Sequence, residues 1–232
     1  MLRVSGIANL ALDCLFPRIC VGCGKLGSYI CANCKADMAF LVGPICPRCG
    51  QPQISGILCP ACAQSSSSVS TIRSVFRFEG TVRDAIHELK YRNLRAIAPT
   101  LAGFLSSHLS EQSDLPDAIV PVPLHPTSYK RRGYNQAALL AHELGRHHRL
   151  PVLPKCLRRT GAGSSQVRTR NVDERRRNVQ NAFEYTGRPL EAARITLIDD
   201  VCTTGATLEA CATALRGAGA IDVNALTVAR EV

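Results

Sequence analysis

Two adjacent carboxylates, Asp199 and Asp200, close a short apolar run over residues 195–198, and a polar turn, Thr203-Thr204-Gly205-Ala206-Thr207, comes directly after them. The turn suits phosphate. Backbone N–H groups and the amino end of a following helix attract an anion. Thr hydroxyls donate to its oxygens, and Gly205 lets the chain approach closely. The acids cannot serve phosphate, so they serve a neighbour: vicinal ribose hydroxyls or a Mg²⁺ ion. A second reactive set lies in the first quarter of the chain. Cys20/Cys23, Cys31/Cys34, Cys46/Cys49 and Cys59/Cys62 form four Cys-x-x-Cys pairs within 43 residues. Each pair presents two thiolates from a tight turn, and two pairs complete a tetrahedron round one Zn²⁺. Two structural zinc ions are expected, because all-cysteine sites leave no position for water. Sequential pairing gives the shorter closures; a cross-braced pairing is also compatible with the spacing. Cys14, Cys156, Cys202 and Cys211 fall outside the scheme. Cys202 is read first as a small loop residue and second as a reactive thiol, since it lies at a helix amino end that would lower a thiol pKa.

The elements that must hold these residues can be read from periodicity. The β-branched run at 195–198 reads as a buried strand. Leu208, Cys211, Ala212 and Leu215 recur at helical spacing until Gly217 and Gly219, where the helix stops. Strand, acids, loop and helix in this order make the ligand edge of an open α/β sheet. Residues 72–78 read as a strand. Thr81-Val82-Arg83-Asp84 resembles a capping box before a helix that buries Val82, Ile86 and Leu89 and exits at Lys90-Tyr91-Arg92. A helix over 97–109, a strand over 118–123 ending in prolines, and a basic loop over 124–136 come next. Beyond them lie a helix carrying Ala137, Leu140, Ala141 and Leu144, a short strand within 151–156, and a last strand over 223–228.

At 232 residues the chain suffices for one α/β domain and a small module. The predicted division is an amino-terminal helix and zinc module over 1–63, a Ser-rich linker over 64–70, and the α/β domain over 71–232. No run of 18 apolar residues occurs, so no membrane span is expected. With no signal peptide and metal-type cysteine spacing, a reducing, cytoplasmic setting is expected. The formal charge of +10 is concentrated: residues 125–178 hold 13 Lys/Arg and three acids, and the remainder is neutral. Such a face suits a polyanion. Its only aromatics are Tyr129 and Tyr134, so binding would be dominated by the nucleic-acid backbone, salt-sensitive and tolerant of sequence.

The string at 195–207 resembles the phosphoribosyl pyrophosphate (PRPP) motif of type I phosphoribosyltransferases. That resemblance implies Asp199 and Asp200 on the ribose 2′- and 3′-hydroxyls, and Thr203, Thr204, Gly205, Ala206 and Thr207 round the 5′-phosphate. With the cysteine-rich amino end, K-Y-R at 90–92, P-V-P-L at 121–124, R-R-G-Y-N-Q at 131–136 and E-R-R-R-N-V at 174–179, the whole chain resembles the ComF family. This likeness implies a double zinc ribbon joined to a phosphoribosyltransferase-like α/β fold, a mostly parallel sheet flanked by helices. It further implies a role in natural competence, in the uptake or use of exogenous DNA. Lys90, Arg131 and Arg132 are the candidates for pyrophosphate, with Mg²⁺. Arg168, Arg170, Arg175, Arg176 and Arg177 are the candidates for single-stranded DNA. The ribbons would dock other DNA-uptake or recombination proteins. The alternative is an active phosphoribosyltransferase that moves ribose 5-phosphate from PRPP to a base, amine or nucleotide-derived acceptor.

Overall fold

The structure, a computed structural model, describes residues 17–111, 114–160 and 182–232. Four parallel strands form the main sheet: β1 (Thr71–Arg77), β2 (Ala118–Pro121), β5 (Arg194–Cys202) and β6 (Asp222–Arg230), in the order β1-β6-β5-β2. Val152 extends the edge by a single parallel bridge to Ile119, the remnant of the strand expected within 151–156. A separate antiparallel ribbon pairs β3 (Leu157–Arg159) with β4 (Phe183–Tyr185). The two central strands are nearly all buried, as parallel strands covered on both faces must be.

One face of the sheet carries α3 (Gly80–Tyr91), α4 (Ala98–Ser110) and α6 (Gln136–His148). In α3, Val82, Ile86 and Leu89 are wholly buried, with Ala85 between them. In α4, Leu101, Leu105 and Leu109 repeat every four residues and are equally enclosed. The other face carries α7 (Ala206–Gly217), packed by Leu208, Cys211 and Leu215 against Ile195 and Leu197. The short α1 (Ala32–Ala36) and α2 (Pro60–Ala63) each begin at the third cysteine of a cluster.

Three local expectations are corrected. The capping box at Thr81 does not form: α3 starts at Gly80 with Glu79 before it, and no side chain caps it. Thr81 instead packs where a Cβ on Gly22 would meet its Oγ1 at 2.7 Å. The basic loop over 124–136 contains a helix, α5 (Pro126–Arg132). Pro126 supplies the preset φ of a first helical position, the His125 side chain accepts from the Thr127 N–H, and Gly133 ends the helix at φ 78°. Finally, β5 runs through both acids to Cys202, because Asp199, Val201 and Cys202 remain paired with Thr227, Ala229 and Arg230 of β6.

The amino-terminal module packs on the sheet edge. Leu41 N–H donates to Val75 O at 2.9 Å, and Arg77 N–H to Ala39 O at 2.8 Å. Segment 39–41 thereby covers the outer edge of β1, which would otherwise invite another strand. Phe40 lies 4.6 Å from Phe76, centroid to centroid, and Phe76 meets Phe104 edge-on at 5.0 Å. No helix among the described residues is long and apolar enough to cross a membrane.

Candidate sugar-phosphate site and zinc centres

The four sulfurs of Cys20, Cys23, Cys31 and Cys34 lie within 4.8 Å of one another, and so do those of Cys46, Cys49, Cys59 and Cys62. The pairing is therefore sequential. Cys23 and Cys31 sulfurs are 3.6 Å apart, and Cys49 and Cys59 3.7 Å. A tetrahedron of sulfurs at about 2.3 Å from a zinc ion has edges of roughly 3.8 Å, so the donor set fits zinc. The two halves repeat one device. Cys20 N–H donates to Lys25 O and Cys46 N–H to Gln51 O, while Gly24 and Gly50 turn back to the carbonyls of Cys20 and Cys46. Both glycines are left-handed, at φ 74° and 71°. A Cβ on Gly50 would also strike Ile72 O at 2.5 Å, so this knuckle seats directly on β1. Burial alone would raise the Cys46 thiol, but N–H groups of Cys59, Cys49 and Arg48 outweigh it and bring the pKa down to about 6. Cys20 is brought to about 6 in the same manner, against its burial, by N–H groups of Cys31, Cys23 and Gly22. Both are thus disposed to be thiolates, the form that binds metal.

At the carboxyl end of β5 the two acids face different surroundings. Asp200 is 2 % exposed, and its Oδ1 pairs with Lys90 Nζ at 2.8 Å. Lys90 comes from the last turn of α3, so the sequence-distant K-Y-R segment reaches the acid pair through helix packing. Asp200 Oδ2 is buried with no hydrogen-bond partner among the described residues. Buried acceptors are nearly always satisfied, so this oxygen awaits a donor. Asp199 is partly exposed, and its Oδ1 accepts the Asp200 N–H at 2.8 Å. Desolvation first, then the charge of Asp200, raises its carboxyl to about 8, against the lowering effects of that N–H and of Lys90.

The Asp199 proton ties stability to pH. Unfolded, this carboxyl titrates near 4; folded, it holds its proton to about 8. Between those values the native state binds more protons than the unfolded one, so the Asp199 contribution falls as pH rises. It is whole below pH 4 and lost by passage through pH 8. Asp199→Asn is expected to remove about one proton from the pH dependence of unfolding over that window, measured by denaturant titration at a series of pH values. An unchanged dependence would show Asp199 ionised in the native protein.

The loop presents Thr203, Thr204, Ala206 and Thr207 at the surface. Gly205 sits at φ 80° at the start of α7, and Thr204 Oγ1 accepts the Ala206 N–H at 3.3 Å. Pyrophosphate candidates converge as well: Lys90, Arg131 and Arg132 line a cavity of about 230 Å³ with Tyr91, Asn93 and Tyr134. Arg132 is steered by Gln136 Oε1 and by the Tyr91 ring, 5.6 Å away. Tyr134 is buried, its hydroxyl donating to Leu89 O and its ring under Arg95, so only Tyr129 of the two aromatics is open for stacking. Arg168, Arg170, Arg175, Arg176 and Arg177 lie outside the described residues, as do Cys14 and the expected amino-terminal helix.

Cys202 is corrected. It is the last residue of β5 and 2 % exposed, and burial pushes its thiol up although Arg230 Nη1 lies 3.0 Å from the sulfur. Two contacts were not legible in the sequence. Glu209 of α7 accepts from Ser67 Oγ at 2.6 Å and from the N–H groups of Ser68 and Val69, holding the Ser-rich stretch against the loop's helix. Arg230 joins Gln51 Oε1, at 3.1 Å, to Cys202.

A parallel sheet with helices on both faces, the acid pair and Thr/Gly loop at its carboxyl edge, and two tetracysteine knuckles define a phosphoribosyltransferase-like α/β protein with an amino-terminal zinc-ribbon module. Residues 11–63 match the family described as "Double zinc ribbon domain". The chain is 31 % identical over 209 residues to competence protein F of Haemophilus influenzae, covering 87 % of this chain and 90 % of that one. It is 29 % identical to competence protein ComFC of Bacillus subtilis over 89 % and 86 %. Against the DNA utilization protein YhgH of Escherichia coli K12 it is 30 % identical over 96 % and 97 %. The chain belongs to the ComF family. Among solved structures it is similar to the glutamine PRPP amidotransferase of B. subtilis, with a TM-score of 0.42 and 18 % identity over 57 % of this chain and 26 % of that one. It is also similar to a purine phosphoribosyltransferase from Pyrococcus horikoshii, with a TM-score of 0.34 and 21 % identity over 56 % and 80 %.

Proposed function

We propose that this protein binds PRPP at the β5–α7 loop and acts in natural competence, in the uptake or use of exogenous DNA. The observation that carries the binding reading is the ion pair that sets Lys90, which shares a cavity with Arg131 and Arg132, against the acid pair directly before the phosphate-type loop, so that residues from separate parts of the chain meet there. The competence role is supported by the names of the relatives. The 5′-phosphate rests on the N–H groups and hydroxyls of residues 203–207. The ribose diol donates to the acids: Asp199 is the accessible one, and Asp200 Oδ2, enclosed and without a partner among the described residues, gains a donor once the diol displaces what covers it. Arg131 and Arg132 offer forked donors to pyrophosphate. When bound with PRPP, Mg²⁺ would neutralise pyrophosphate charge, and Asp199, on giving up its proton, and Asp200 would be the residues to hold it or its waters. Gly205→Val tests the loop. Its φ of +80° and an added Cβ only 3.0 Å from Ile72 Cδ1 would displace the turn. In ³¹P NMR of PRPP, the 5′-phosphate resonance should broaden with the native protein and stay sharp with the variant. Equal broadening with both would contradict the placement.

Single-stranded DNA is assigned to the arginine-rich stretch. Neutralising Arg175, Arg176 and Arg177 is expected to weaken DNA binding and reduce the slope of log K against log salt by about 2, since each phosphate contact on a single strand contributes roughly 0.7. Fluorescence anisotropy at several salt concentrations measures it, and an unchanged slope removes these arginines from the interface.

A further inference from the structure

The phosphate loop opens into a second, larger space. A cavity of about 990 Å³ lies between it and the second cysteine knuckle. Thr203–Ala206 and Ala210 form one wall; Arg48, Gln51, Cys59, Ala61 and Cys62 form the other, with Val69 and Ile72 between. Small-molecule sites span about 300–1,000 Å³, so this space exceeds the needs of a pentose phosphate. Two cations border it without carboxylate partners among the described residues. Arg48 Nη1 donates to Cys62 O at 2.6 Å and Ser65 O at 2.7 Å. Arg230, 2 % exposed, donates to Gln51 and Cys202. Arg230 is a buried guanidinium whose own hydrogen-bond partners are neutral, and so favours an incoming anion. Glu209 also lines the cavity, its carboxylate engaged by Ser67, Ser68 and Val69. Exposed Ala61, with the buried Val69, Ile72 and Ala210 behind it, gives this space an apolar lining suited to a flat heterocycle.

We propose that the second zinc ribbon is one wall of a ligand site that takes a nucleoside 5′-phosphate, with the phosphate on the 203–207 loop and the base against the ribbon. The proposal rests on the reading of that loop as a phosphate cradle. It makes the ribbon a specificity element, not only a docking module. The first ribbon contributes nothing to this cavity, so the two knuckles differ in role although they share one design.

The test uses full-length, zinc-loaded protein and calorimetry with deoxyadenosine 5′-monophosphate, alongside PRPP with Mg²⁺. Ala61→Trp fills the cavity from an exposed position that is no zinc ligand. Asn33→Trp is the equivalent change between the paired cysteines of the first ribbon. The expected result is a tenfold or greater loss of nucleotide affinity in Ala61→Trp, none in Asn33→Trp, and zinc content unchanged in both. Two results overturn the proposal alone: PRPP binding without nucleotide binding by the native protein, or nucleotide affinity unaffected by Ala61→Trp. If the native protein binds neither compound, the reading of the loop falls together with it.

Discussion

Replacing Lys90 by methionine is expected to cost about 3 kcal/mol of stability and to abolish PRPP binding, whereas the double change Lys90→Met with Asp200→Leu restores most of the stability and none of the binding. The reason is the position of the pair. Asp200 is nearly inaccessible and has one oxygen on Lys90 Nζ at 2.8 Å and the other without a partner among the described residues. Removing one member strands a charge in a desolvated site, which costs about 3–5 kcal/mol, while replacing both by apolar groups of similar size is often neutral. Lys90 keeps some contact with water, with 19 % of its side chain exposed, so the lower end of that range applies. Urea denaturation of the three proteins gives the stabilities, and calorimetry the binding. A double variant as unstable as the single one would mean that the pair contributes by more than its charges. A Lys90→Met protein that bound PRPP normally would remove the lysine from the site.

The second large effect concerns zinc. Cys46→Ser should lose one zinc ion per chain and lower the melting temperature by many degrees, since structural zinc in small modules supplies about 10–16 kcal/mol of apparent binding free energy that the fold depends on. The module has few means of its own: α1 and α2 contain no buried residue, and Cys46 is itself wholly enclosed. Cys156→Ser and Cys211→Ser are the controls. Both thiols are buried and raised by burial, and neither belongs to a tetracysteine cluster. They should retain full zinc content on elemental analysis. Loss of both ions from Cys46→Ser would show that the two knuckles fold as one unit. Loss of none would show that the cluster does not need this sulfur.

The parts of this protein visible in the sequence are those written in local pattern. Cysteine spacing identifies the metal ligands because a knuckle is a turn of a few residues. The string from Ile195 to Leu215 shows its strand, acids, loop and helix because each comes after the last along the chain. Long-range consequences are not legible there. Spacing leaves the pairing of knuckles open, and only the grouping of the sulfurs decides it. Nothing near Asp200 in sequence announces Lys90, which reaches it across 110 residues by the packing of α3. Glu209 reads as an ordinary helix residue, yet it accepts three hydrogen bonds from Ser67, Ser68 and Val69, some 140 positions away. Cys202 departs from expectation for a related reason. Its place by a helix start argues for a low pKa, but pairing with β6 carries it into the core, and desolvation outweighs the nearby Arg230. The basic stretch at 124–136 conceals α5, whose signals, Pro126 at the start and Gly133 at the end, are overshadowed by its charge.

One loop gripping a sugar phosphate, with the adjacent acids gripping its diol, is the feature on which the proposed function stands. Isothermal titration of PRPP into full-length, zinc-loaded protein with Mg²⁺ present probes it without intermediaries. Saturable binding at one site per chain is expected, lost in Asp199→Ala and Asp200→Ala proteins that keep their zinc. Absence of binding by the native protein, or binding untouched by loss of either acid, would contradict it.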